Sequence, residues 1–79
     1  IRMVLRFHPR QRVRVEEYFP PEEIRVDGDG YYRVDTVHAE DEWLYGTLLG
    51  FGPDVTVLEP RRLADNLKRR ALAIARLYE

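Results

Sequence analysis

The sequence predicts an α+β fold, one antiparallel sheet with helices packed on one face, and three observations carry that prediction. Apolar residues alternate at period two through Arg2 to Phe7 and again through Tyr31 to His38, as in strands with a single buried face. Asp27-Gly28-Asp29-Gly30 is a hairpin signal, because its glycines permit positive φ between two such stretches. The remaining segments are opened or closed by proline and carry apolar residues at helical spacing.

Taken in order, Met3, Leu5 and Phe7 alternate with Arg2, Val4 and Arg6 to form the first strand. Pro9 suits the first position of a helix, where its missing N–H costs nothing, and that helix runs from Arg10 to Phe19. Pro20-Pro21 ends it, since the residue before a proline is pushed out of the helical region. A short strand over Glu23 to Asp27 offers Ile24 and Val26 to one face. After the hairpin, Tyr32, Val34 and Thr36 share one face and Tyr31, Arg33, Asp35 and Val37 the other. Glu40-Asp41-Glu42 places carboxylates at a helix N-terminus, where they complement its dipole, and Trp43 to Phe51 forms the body. Gly50 and Gly52 are C-cap candidates and Pro53 is the stop. Val55 to Leu58 is a fourth strand, and Pro60 opens a last helix with Leu63, Leu67, Ala71, Ile74 and Tyr78 in one apolar stripe.

The order β-α-β-β-α-β-α is the split arrangement called ferredoxin-like, an antiparallel βαββαβ sheet with an added C-terminal helix. Its first and third strands are central antiparallel neighbours. With Leu5, Phe7, Val26, Val34 and Val57 toward the helices, the pleat sends Arg2, Arg6, Arg25, Tyr31 and Arg33 to the open face. Arg2, Arg6, Tyr31 and Arg33 are therefore the candidate nucleic-acid or effector-binding residues. The second helix has no charge from Trp43 through Pro53 and two apolar stripes, Leu44, Leu48 and Phe51 on one and Tyr45 and Leu49 on the other. The sheet covers one stripe, so Trp43, Tyr45 and Leu49 are candidate interface residues toward the last helix, a second subunit or a neighbouring domain.

Composition narrows the chemistry. The chain has 79 residues with 13 basic against 14 acidic side chains, and its formal charge of -1 leaves no global polycation to hold a duplex. The charge is segmented, +3 over residues 1–19, -8 over 20–59 and +4 over 60–79. Without cysteine there is no disulfide or zinc–thiolate framework, and without serine no serine-nucleophile triad. His8 and His38 fall at opposite ends of antiparallel strands and do not converge on a metal. The glycine pairs lack the spacing of a phosphate loop, and Phe7-His8-Pro9-Arg10 lacks the anion cradle of acylphosphatase-like enzymes on this topology. No enzymatic activity, metal or cofactor is expected. RNA-recognition modules share the strand order, yet Arg33 stands where their second stacking aromatic belongs. No apolar run reaches the roughly 20 residues of a membrane span, and a cytoplasmic location is expected.

The run Leu48-Leu49-Gly50-Phe51-Gly52-Pro53-Asp54-Val55-Thr56-Val57-Leu58-Glu59-Pro60 closely resembles the signature of the WCX domain, the C-terminal extension of bacterial WYL-domain transcriptional regulators. The resemblance extends through Val4-Leu5-Arg6-Phe7 before Pro9, Tyr18-Phe19-Pro20-Pro21, Asp29-Gly30 and an arginine-rich last helix ending in Tyr78. His8, where a small capping residue is usual, and Glu22-Glu23, in place of a Ser-Gln pair, depart from it. Trp43-Leu44-Tyr45 is not the WYL motif itself, which lies in a different element, so no WYL ligand residue carries over.

The resemblance implies that residues 1–79 are one domain of a longer regulator with a helix-turn-helix domain for promoter DNA and a central WYL domain with an Sm-like barrel. The expected function is a regulatory and assembly module that aids homodimerisation and effector response, with single-stranded nucleic acid a candidate effector. The other expectation is a self-sufficient nucleic-acid-binding or small-molecule-sensing domain. The expected partners are the WYL and helix-turn-helix domains of the same chain and a second copy of it.

Overall fold

Strand β1 (Arg2–Phe7) lies at the centre of the sheet, paired antiparallel with β3 (Tyr32–Val37) on one side and β4 (Val55–Glu59) on the other. The computed structural model describes all 79 residues, and β2 (Ile24–Val26) completes a four-stranded sheet of order β2-β3-β1-β4. This is the ferredoxin-like order expected from the sequence. Helices α1 (Arg12–Tyr18), α2 (Glu42–Gly50) and the long α3 (Arg61–Arg76) complete an α+β fold.

The register explains the faces. Leu5 stands opposite Val34 and Val57, Phe7 opposite Tyr32 and Val55, and Met3 opposite Thr36, so this set builds the helix-facing layer. Leu5, Phe7, Val15, Val34 and Leu63 are fully buried, and the Phe7 ring meets Phe51 edge-on at 4.9 Å and Phe19 at 5.9 Å. Such tilted pairs add roughly 0.5–1.5 kcal/mol to the burial of the rings. A bulge at Leu58 separates the Leu5–Val57 and Val4–Glu59 pairings, and thus Glu59 returns to the open face.

Several boundaries differ from the sequence expectation. The first helix begins as a 3-10 turn over Pro9–Gln11, capped by the His8 ring accepting from the Arg10 N–H at 3.1 Å, before regular α1 starts at Arg12. Helix α2 runs through Gly50. Gly52, at φ +61°, supplies the left-handed residue after the Phe51 cap, because a Cβ there would be strained. Gly30, at φ +86°, does the same in the hairpin, where the Asp27 carbonyl accepts from its N–H. Val26 keeps the helix-facing side but is 64% exposed, since β2 is the edge strand and α1 is too short to reach over it.

The larger correction concerns α3. Only Leu63 of its stripe is buried, with Ala64 and Leu67 packed against the core, while Ile74 is 47% and Tyr78 85% exposed. Sixteen residues give a helix of about 24 Å, and the body beneath supports only the first half. The molecule accordingly measures 39 × 25 × 20 Å.

Candidate functional site

The open face of the sheet is built by the pleat. Arg25 stands opposite Arg33, and Arg33 opposite Arg6, so three guanidinium-bearing positions fall in one row across β2, β3 and β1. Like charges opposed across a sheet repel. Acidic side chains relieve the repulsion. The Arg2 guanidinium grips Asp35 with two bonds at 3.0 and 2.7 Å, Arg33 meets Asp27 at 3.3 Å, and Arg6 pairs with Asp29 from the hairpin. Asp29 is held for this by the Tyr31 N–H, which donates to its carboxylate at 3.0 Å. That backbone bond and then Arg6 hold the Asp29 carboxyl below the usual range, and hydrogen bonds from Arg2 do the same for Asp35.

The sequence-predicted residues therefore converge, with their charge already answered. The Arg6 guanidinium sits over the Tyr31 ring at 3.7 Å, and the His8 ring meets the same tyrosine edge-on at 5.3 Å. A base stacking on Tyr31 would have to replace or sandwich Arg6. Arg25 alone in the row makes no direct ion pair, although it lies close enough to Asp35 to add a smaller part to the lowering of that carboxyl. It borders a shallow depression of about 310 Å³ with Arg2, Arg33, Asp35 and Glu59. The alternation of β2 places Arg25 on this face, but nothing in the sequence marks it as the unpaired one.

The three interface candidates have different fates. Tyr45 is buried beneath α3. Its hydroxyl donates to Glu40 at 2.8 Å and accepts from Asn66 at 3.1 Å, and the Arg70 guanidinium covers its ring at 4.0 Å. Glu40 also accepts from Arg62 at 2.6 Å, and these bonds hold its carboxyl below the usual range, with Arg62 the larger cause. Arg70 reaches Glu42 with two bonds at 2.7 and 2.8 Å. The acidic run at the start of α2 thus clasps α3, while Asp41 caps α2 by accepting from the Leu44 N–H at 2.9 Å. Leu49 is half-buried in an open groove of about 360 Å³ shared with Ala64, Leu67 and Ala71. Trp43 is 56% exposed, with its ring stacked on His38 at 5.1 Å.

What the sequence reading missed lies further along α3. Leu72, Ile74, Leu77 and Tyr78 are all exposed on a helix that projects past the sheet. The helical stripe was visible in the sequence, whereas the length of the body available to cover it was not.

No group of side chains is placed to hold a metal ion, and no helix is long and apolar enough to cross a membrane. The chain is similar to Protein PafC of Mycobacterium tuberculosis (strain CDC 1551 / Oshkosh), with 40% identity over 63 residues, which is 80% of this chain and 20% of that protein. The HTH-type transcriptional regulator YobV of Bacillus subtilis (strain 168) is 31% identical over 78 residues, 98% of this chain and 25% of that protein. Protein PafC of Mycobacterium leprae (strain TN) is 32% identical over 63 residues, 80% of this chain and 19% of that protein. The chain spans about a fifth to a quarter of the length of these curated relatives. Residues 1–75, carrying the sheet, α1, α2 and nearly all of α3, match the WCX domain, and the chain belongs to the WCX domain family.

Proposed function

We propose that this domain is a non-enzymatic regulatory and assembly module of a bacterial DNA-binding transcriptional regulator of the WYL type. It acts in the cytoplasm, as one domain of a longer chain that also carries helix-turn-helix and WYL domains. Membership of the WCX family and similarity to an HTH-type transcriptional regulator support the reading. The structural observation that carries it is the distal half of α3. Ile74, Leu77 and Tyr78 put apolar surface on one side of the projecting helix end, in line with Leu63 and Leu67, and burying such a face is a favourable route to association. In this reading α3 is the assembly element, meeting a second copy or the preceding WYL domain, and Trp43 provides an outlying contact. The open sheet face is the effector-facing side, where Arg25 is the cation free to take a phosphate of single-stranded nucleic acid.

Sedimentation velocity tests the assembly part. The chain, alone or following a WYL domain, should associate, and Ile74→Glu with Leu77→Glu should abolish the association without lowering the thermal midpoint of the monomer. Monomers throughout, with unaltered assembly of the longer protein, would refute it.

A further inference from the structure

Between the C-terminal end of α1 and the outer turn of α2 lies an apolar cavity of about 220 Å³ that neither the open face nor α3 uses. Its origin is local. Helix α1 has seven residues before Pro20-Pro21 stops it, so it covers about 10 Å of strands nearly twice that long. Met3, Leu5 and Thr36 are left as a floor, while Tyr18, Trp43 and Phe51 line the cavity with rings. Tyr18 stands perpendicular to both Trp43, at 6.4 Å, and Phe51, at 5.8 Å, so the lining is held by its own aromatic contacts.

Two polar features distinguish this cavity from a packing gap. Thr36 is a buried polar residue, and it sits on the floor. Glu23, half-buried, is the only carboxylate of the lining and has no ion-pair partner, and His38, stacked on Trp43, and Tyr18 are the other titratable side chains there. The ring faces are already taken, Phe51 by the Arg14 guanidinium at 4.0 Å and Trp43 by the stacked His38, so an organic cation is favoured over a neutral or anionic body through a charge-assisted hydrogen bond to the carboxylate. The volume sets the size, since a cavity of about 150 Å³ holds benzene. We propose that this cavity is a binding site for a small primary arylalkylamine, its ring in the cavity against Tyr18, Trp43 and Phe51 and its ammonium on Glu23. The site is independent of the assembly role of α3.

The test uses 2-phenylethylamine, with ethylbenzene and phenylacetate as neutral and anionic counterparts, titrated into the chain by calorimetry and by the fluorescence of Trp43, the only tryptophan. We expect a dissociation constant on the order of 0.1–1 mM for the amine, as befits about nine heavy atoms, and markedly weaker binding of both counterparts. Glu23→Gln should weaken the amine about tenfold and leave ethylbenzene unchanged. Thr47→Leu, which fills the cavity from α2, should weaken both. Equal affinity for the three probes, an amine affinity indifferent to Glu23→Gln, or no binding of the amine at millimolar concentration would each overturn the proposal. The thermal midpoint of each variant, measured alongside, separates loss of the site from loss of the fold.

Discussion

Removing side chains along α3 measures how far the domain holds its last helix. Leu63 is fully buried against the sheet and α2, whereas Ile74, on the same helix, is about half exposed. Leu63→Ala deletes atoms that are wholly out of water and leaves a cavity, which costs about 3 kcal/mol within a range of roughly 2–5. An unfolding entropy of about 2.1 cal/mol/K per residue gives roughly 0.17 kcal/mol/K for a chain of this length, so the midpoint should fall by about 18 °C. Ile74→Ala removes atoms already about half hydrated and should cost less than about 1 kcal/mol, a shift of a few degrees. Differential scanning calorimetry of both variants at low protein concentration is the assay. Comparable costs at the two positions in a monomeric sample would show that the distal stripe is docked on the body and would refute the reasoning that it is free. A cost at Ile74 that appears only as concentration rises would instead be the signature of association through α3.

Three further outcomes are expected. Tyr45→Phe removes a buried hydroxyl that joins Glu40 to Asn66, and should lower stability by about 1 kcal/mol without changing the oligomeric state in sedimentation. Asp54 accepts from Arg10 at 2.9 Å and from Gln11 at 2.7 Å, and these bonds draw its pKa down from 3.8 to about 2. Because the folded value lies below the unfolded one, its contribution is present above about pH 4 and is lost as pH falls toward 2, so Asp54→Asn should flatten that part of an acid-denaturation curve. On the open face, Arg25→Ala should weaken binding of a single-stranded oligonucleotide more than Arg2→Ala, because Arg2 must first surrender Asp35. Equal effects in a fluorescence-anisotropy titration would mean that pairing does not govern access.

The sequence alone determined which way the strands present their side chains. A period of two, read from Met3 to Phe7 and from Tyr32 to Thr36, sorts residues to faces whatever the neighbours are, and the two-glycine turn joins the second and third strands. The same logic made α2 legible, since a helix without charge on either stripe needs cover on both, and the sheet and α3 supply it through Leu48 and Tyr45. Other features lay beyond any local pattern. Asp29 answers Arg6 from 23 residues away because the hairpin folds back beside β1, and Tyr31 loses its open ring face to the same arginine. The free half of α3 and the cavity beside α1 both follow from a mismatch of lengths, a helix too long for the body and another too short for its strands. Periodicity tells each side chain its direction. Which neighbour it meets there, and whether it meets one at all, is decided by the packing of elements far apart in the chain.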